Sequence, residues 1–215
     1  MAILALDTSS GSTGIIIKKS DKSISLCATF RYRENESIIT WLSKMLEELN
    51  IKLSHIELII CTLGPGSFTG LRLGLSIGKG LSFGIGCPLV GVPSLDVFAE
   101  KYSFFYGVVL PIIDAKKGRF YCALYRNGER ITNYKDLLPD DILELLKGLD
   151  SILITGPAAN QFRDIINSKN YNPDNLGKLF FTNSNHEPDT LIELGKKILI
   201  TQGPLAPGHG PIYIR

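Results

Sequence analysis

The sequence of 215 residues predicts an α/β protein built from two similar lobes, because one pattern of elements occurs twice. An apolar strand that ends in an aspartate, with a glycine four residues later, lies at residues 3–7 with Gly11 and again at residues 110–114 with Gly118. Further along each half, a strand leads into a Gly-Pro loop and a helix. These loops are Gly64-Pro65 and Gly156-Pro157. A repeat spaced by about half the chain predicts a duplicated unit.

The composition is that of an ordinary globular protein with enough apolar residues for a core, at 44% hydrophobic and 20% charged residues. A net charge of +2 excludes a strong general electrostatic attraction to nucleic acid. The cysteines are widely spaced and form no Cys-x-x-Cys motif, so we expect buried, reduced thiols. They are Cys27, Cys61, Cys87 and Cys122.

Signals for export and for membrane insertion are both missing from the sequence. The N-terminus has no basic region before its apolar run, and Asp7 interrupts that run too early for a signal peptide. Residues 73–92 are the most apolar window, but they contain Lys79 and several glycines. We therefore expect a soluble, cytoplasmic protein.

The first half predicts an N-terminal lobe, residues 1–103, of alternating strands and helices. Its first helix has apolar residues at spacings of three and four, which is typical of an amphipathic helix. Those apolar residues are Ile38, Trp41, Leu42, Met45, Leu46 and Leu49. The predicted elements are strands 3–7, 15–17, 23–30, 57–63 and 88–92 and helices 37–49 and 69–84.

The second half predicts a C-terminal lobe, residues 104–215. Asn127-Gly128 is a hairpin signal, and Pro139 and Gly148 bound a short helix. The predicted elements are strands 108–114, 119–125 and 151–155, helices 139–147 and 159–166, and a final helix 189–202. We allow the final helix to pack back on the N-terminal lobe.

A glycine-rich loop joins the strand at 57–63 to the helix at 69–84. Its residues are Gly64, Pro65, Gly66, Ser67, Phe68, Thr69, Gly70, Leu71 and Arg72. The spacing does not match a Walker A loop, a dinucleotide fingerprint or a nucleophile elbow. The loop can present backbone N–H groups to an anion or to another backbone, or it can be a plain strand-to-helix turn.

Small residues line one face of the helix that follows this loop. Gly70, Gly74, Gly78 and Ser82 recur every four residues. Each interior glycine costs about 0.5–1 kcal/mol relative to alanine, so close packing must compensate. The pattern by itself favours packing within the chain over contact with a partner helix.

Four segments together resemble the TsaB (YeaZ) family, and the resemblance covers the whole chain. They are residues 4–9, 64–72, 113–116 and 211–215. The glycine loop is the most specific of these motifs. Two lobes that each begin with a strand–Asp–turn–strand hairpin also resemble the actin/hexokinase/Hsp70-like (ASKHA, ribonuclease H-like) fold.

The resemblance implies a non-catalytic subunit that acts with TsaD, and with TsaE, in transferring a threonylcarbamoyl group to adenosine 37 of tRNAs that read codons starting with A. It implies a heterodimer with TsaD, a homodimer when alone, only indirect or weak contact with tRNA, and no membrane association. It also implies no intrinsic cofactor, with ATP or ADP and a metal on the partner subunits. TsaD holds its metal with a His-x-x-x-His motif, whereas His55, His186 and His209 are far apart here and residues 93–97 contain no histidine.

The resemblance also implies a helical-bundle interface with the partner. Its expected residues are Ile38, Trp41, Leu42, Met45, Gly70, Leu71, Gly74, Leu75 and Gly78. On this expectation, replacing Gly74 or Gly78 by Asp or Arg breaks the complex through steric clash and buried charge and leaves the fold intact. The sequence departs from the family at residues 33–37, where many members carry a His-Ser-Glu run.

A vestigial nucleotide site is the remaining expectation, at Asp7, Thr8, Ser9, Asp114 and Gly156. Asp7 is the better candidate for a hydrogen-bonded turn residue. An ATP-binding small-molecule kinase of the same superfamily is the alternative function, and the missing histidine pair argues against a metallopeptidase. Scattered cations are candidates for tRNA contact, namely Arg31, Arg33, Arg72, Lys18, Lys19, Lys116 and Lys117.

Overall fold

The computed structural model describes residues 1–28, 35–168 and 176–214, with residues 35–37 described as helix only. Three predictions fall wholly or partly outside the described residues. They are the tRNA contacts of Arg31 and Arg33, the start of the segment 33–37 that differs from the family pattern, and the end of the strand predicted at 23–30.

The chain folds into two compact units. Unit 1 consists of Met1–Pro93 with Pro188–Ile212, and unit 2 consists of Ser94–Glu187 with the last residues from Tyr213. The elements in chain order are β1 Ala2–Asp7, β2 Thr13–Lys19, β3 Lys22–Ala28, α1 Asn35–Glu48, a 3₁₀ turn Leu53–His55, β4 Ile56–Gly64, α2 Phe68–Ile85, β5 Leu89–Pro93, α3 Ser94–Glu100, β6 Val108–Lys116, β7 Arg119–Cys122, β8 Tyr125–Arg126, β9 Glu129–Arg130, β10 Lys135–Leu137, α4 Pro139–Leu145, β11 Ser151–Thr155, α5 Ala159–Ser168, β12 Lys178–Phe181 and α6 Pro188–Gln202.

The two units contain the same sheet. Unit 1 has the strand order β3-β2-β1-β4-β5, in which β1, β4 and β5 are parallel and β2 is antiparallel to both its neighbours. Unit 2 has the order β10-β7-β6-β11-β12 with the same pattern of directions, and β8 and β9 form an added hairpin beside β6. This shared topology confirms the predicted duplication and the ASKHA-like fold class.

Helices cover both faces of the unit 1 sheet, which explains the continuous apolar runs in its central strands. Successive side chains of a strand point to opposite faces. Ile60 accordingly packs against Gly195 of α6, and the next residue, Cys61, packs against Gly78 of α2. Apolar side chains of α1 join the same core as the α2 side of the sheet.

The division between the units differs from the predicted boundary after residue 103. It falls after Pro93, because α3 contacts β6 of unit 2. Five of the seven residues of α3 are buried, so the helix has no amphipathic period that the sequence analysis could detect. The final helix, α6, belongs to unit 1 and contacts β5, β1 and β4. Strands β10 and β12 were not predicted either.

No helix within the described ranges is both long enough and apolar enough to cross a membrane.

The four cysteines are free, but only two are buried as the sequence predicted. Burial raises the pKa of the Cys61 and Cys122 thiols to about 12 and shuts both off from solvent. Partial burial also raises the pKa of Cys27 and Cys87, but Cys27 is exposed and Cys87 is half-buried, so reagents can reach them. A raised pKa leaves little reactive thiolate at mildly alkaline pH.

We therefore expect iodoacetamide to label Cys27 first in the folded chain, and Cys61 and Cys122 only after unfolding. Mass spectrometry of peptides from native and urea-treated samples measures this order. Native labelling of Cys61 as fast as that of Cys27 would contradict the packing of α2 on β4.

Candidate functional site

The glycine loop packs against the turn between β1 and β2, and both lie in unit 1. The N–H of Ser67 donates to the carbonyl of Ser9 at 2.7 Å. The Ser67 hydroxyl caps α2 by accepting from the N–H of Gly70 at 3.3 Å. The loop therefore ties the start of α2 to the first turn of the chain.

Glycine is required in this loop because backbone meets backbone. A Cβ at Gly66 would overlap the carbonyl of Ser9, and a Cβ at Gly70 would overlap the carbonyl of Thr8. Gly64 has φ +104, in the left-handed region that favours glycine. Of the alternatives left open by the sequence, the structure shows the loop presenting its N–H group to another backbone segment.

Asp7 forms the turn that the loop contacts. Its Oδ1 accepts from the N–H of Ser9 at 3.0 Å, the hydroxyl of Ser9 at 2.7 Å and the hydroxyl of Thr62 at 3.1 Å. The Thr62 hydroxyl accepts from the N–H of Thr8 at 3.3 Å. Asp7, Thr8 and Ser9 are all buried, so their polar groups serve the turn. This geometry supports the interpretation of Asp7 as a turn residue.

The corresponding turn of unit 2 is built differently. Asp114 accepts from the N–H of Lys116 at 2.7 Å and pairs with its ammonium at 2.9 Å. Lys116, Lys117 and Gly118 all have positive φ. Gly156 has φ +94 and lies against the backbone of Ile112. Gly156 thus has a packing role within unit 2.

The structure corrects the expected role of the α2 glycines. A Cβ at Gly74 would overlap the side chain of Thr8, and one at Gly78 would overlap the sulfur of Cys61. Leu71 and Leu75 are buried beside them. These residues face the chain's own sheet, so Gly74→Asp or Gly78→Arg would disrupt the fold instead of a partner contact alone.

The α1 residues named for the interface are also part of the core. Ile38, Leu42 and Met45 are buried. Trp41 is half-buried, with the ammonium of Lys44 4.9 Å from its ring centroid. Met45 is therefore not an available anchor, because its side chain packs in its own core.

The opposite side of α2 is exposed, and we call Phe68, Arg72, Ser76, Gly80 and Phe83 the outer face of α2. Phe83 is 93% exposed and Phe68 is 55% exposed. The guanidinium of Arg72 lies 3.9 Å from the Phe68 ring centroid. A Cβ at Gly80 or at Gly84 would meet no described atom within 4 Å. The near four-residue spacing of these residues is visible in the sequence, but this face of α2 was not predicted as an interface.

Among the described residues, no group of three His, Cys, Asp or Glu could hold a metal ion. Asp96 of α3 lies within residues 93–97, the segment that contains no histidine, and its carboxylate accepts hydrogen bonds from two tyrosines. It accepts from the hydroxyl of Tyr125 at 2.5 Å and that of Tyr134 at 2.8 Å. Burial, and next the charge of Asp96, raise the pKa of both tyrosines.

Comparison with known proteins gives concordant matches. Residues 32–167 match the family model described as "TsaD: tRNA N6-adenosine threonylcarbamoyltransferase". The tRNA threonylcarbamoyladenosine biosynthesis protein TsaB of Bacillus subtilis is 30% identical over 228 residues, covering 100% of this chain and 94% of that protein. The solved structure of YeaZ from Pseudomonas aeruginosa aligns with a TM-score of 0.75 at 20% identity, over 99% of both chains. The Bacillus relative is 30% identical over the whole of this chain, and the related TsaD model spans more than half of it, so the chain belongs to the TsaB (YeaZ) family of tRNA threonylcarbamoyladenosine biosynthesis proteins.

Proposed function

We propose that this chain is a non-catalytic subunit that activates a TsaD-type partner, which transfers the threonylcarbamoyl group to adenosine 37 of tRNA. The names of its relatives support a role in this modification. The partner carries the chemistry, and the present chain holds it in an active arrangement through paired helices.

The outer face of α2 is the observation that carries this proposal. Phe68, 55% exposed, and Phe83, 93% exposed, lie on this one face of α2, and exposed apolar patches are typical of interaction surfaces. Gly80 and Gly84 each lower helix stability by about 0.5–1 kcal/mol relative to alanine, and no neighbour among the described residues explains them. A partner helix that approaches the backbone closely would explain both features. Ile39 of α1 is a further exposed apolar residue of unit 1, at 45%.

The buried first turn supports a subunit without its own nucleotide chemistry. In unit 1 the Ser9 hydroxyl donates a hydrogen bond to Asp7, and the Ser9 carbonyl accepts one from the glycine loop. Both groups are therefore engaged within the turn and are not directed at a phosphate group. We propose that ATP or ADP and the metal bind on the partner subunits, among them TsaE. Alone, the chain would pair with a second copy through the same outer face, in the cytoplasm.

Size-exclusion chromatography with light scattering tests the proposal, using the chain alone and mixed with TsaD from the same organism. We expect a mixed species with the mass of one copy of each, and a shift from homodimer to heterodimer. Two unchanged peaks would contradict the partnership. Calorimetry with Mg-ATP would then test the kinase alternative.

A further inference from the structure

Unit 2 contains a pocket at the end of its sheet opposite Asp114 and Gly156. The pocket has a volume of about 330 Å³ and lies where β6 and β11 begin, beside the turn of the β8–β9 hairpin. Its lining includes Tyr106, Arg126, Asn127, Asp150 and Ser151. A volume of this size is at the lower end for small-molecule sites.

The polar side chains of this pocket have no partners within the described part of the chain. Arg126, Asn127 and Asp150 make no side-chain hydrogen bond or ion pair there. A guanidinium and a carboxylate that line one pocket without pairing remain available to a ligand. Few, convergent polar groups beside an aromatic ring are typical of a binding site.

One exposed aromatic ring lines the pocket, and a second lies two residues earlier in the chain. Tyr106 is 99% exposed and Phe104 is 82% exposed. Between them, Phe105 is half-buried and packs edge-on against Phe180 of β12, with ring centroids 5.8 Å apart. The packing of Phe105 therefore anchors this loop, while the rings on either side of it stay in solvent. Single-stranded nucleic acid often stacks on exposed aromatic rings of this kind.

The surrounding backbone fixes these groups next to each other. Gly128 of the hairpin turn approaches Ser103 and Glu100 so closely that a Cβ there would lie about 3.1 Å from Ser103. The N–H of Lys178 donates to the carbonyl of Asp150 at 2.8 Å, which brings a second exposed cation beside the pocket. The rings, the guanidinium and the carboxylate are thus held by the fold of unit 2.

We propose that this pocket binds an unpaired nucleotide of an RNA chain. The base stacks on Tyr106, Arg126 binds a phosphate, and Asp150 and Asn127 bond to the edge of the base. Phe104 offers a second ring to the adjoining base. The proposal rests on the proposed function for the kind of RNA, a tRNA. Its residues all belong to unit 2 and include none of the outer face of α2.

Fluorescence anisotropy with the full chain tests the site, using a labelled RNA hairpin with an unpaired loop and a blunt RNA duplex. We expect the hairpin to bind more tightly than the duplex. Tyr106→Ala should weaken hairpin binding about 10-fold, because stacking contributes about 1–3 kcal/mol per base. Tyr106→Phe keeps the ring and should retain binding. Arg126→Gln should lower the salt slope by about one.

Phe83→Ala is the matched control, since it removes an equally exposed ring from unit 1. Wild-type hairpin binding by Tyr106→Ala and Arg126→Gln would overturn the proposal. Binding of AMP or CMP without binding of the hairpin would overturn RNA as the source of the nucleotide. A Tyr106→Ala variant that loses TsaD but keeps RNA would mark a protein surface and would also overturn it. The RNA titrations use the chain without its partner, so their result is independent of the mixing experiment.

Discussion

Ser76→Arg on the outer face of α2 is expected to abolish binding to a TsaD-type partner while leaving the stability of the chain unchanged. Ser76 is exposed and lies between Arg72 and Gly80, one turn from each. A bulky charged side chain there would block the close approach of a partner helix and would be buried without a counterion. Leaving a charge unpaired in an interface costs about 3–5 kcal/mol, so we expect at least about a 100-fold loss of affinity.

Arginine is a good helix former, and substitution of an exposed residue changes stability by about 0.5 kcal/mol or less. The melting temperature should therefore match that of the wild type. Thr201→Arg is the matched control, because Thr201 is also a small, exposed, helical residue of unit 1, but on α6. Light scattering of each variant mixed with TsaD measures the outcome. Co-elution of Ser76→Arg at wild-type strength would exclude the outer face of α2 as the partner surface.

The fold was largely predictable because its signals are local and occur twice. The strand–Asp–turn–strand hairpins and the two Gly-Pro loops recur in both halves, and the shared sheet order follows from them. The short helix α3 was not predictable, since burial on most of its surface removes the periodic pattern. Strand β12 alternates exposed and half-buried residues over only four positions, which is too short for a period to be recognised.

The direction in which the α2 glycines face could not be deduced from spacing. A four-residue period shows that Gly70, Gly74 and Gly78 share one face of the helix, but not which neighbour covers it. The turn at Thr8 lies more than fifty residues earlier in the chain, and only the folded structure brings it against α2. The same helix has a second set of small residues, Ser76, Gly80 and Gly84, on the side for which no contact was predicted.

Replacing a glycine by alanine should change the free energy of unfolding in opposite directions in the two sets. Gly70→Ala represents the set that faces the sheet, and Gly80→Ala represents the exposed set. A methyl group at Gly70 would overlap the carbonyl of Thr8, which is fixed in the buried turn of Asp7 and cannot rotate away as a side chain could. Overpacking of this kind costs about 1–3 kcal/mol, and any weakening of the bond from Ser67 to Ser9 adds to it. We expect Gly70→Ala to lower the free energy of unfolding of unit 1 by about 2 kcal/mol.

Gly80→Ala places its methyl group in open space within the same helix, so only the helix propensity changes and we expect a gain of about 0.5–1 kcal/mol. Urea denaturation followed by tryptophan fluorescence measures both values, because Trp41 is the single tryptophan and lies in unit 1. Dilute protein keeps self-association through the outer face from adding to the result. Equal effects of the two substitutions would mean that the turn at Thr8 does not constrain α2. Opposite signs would establish that one glycine set is required by the fold, which leaves the other set to be explained by a partner.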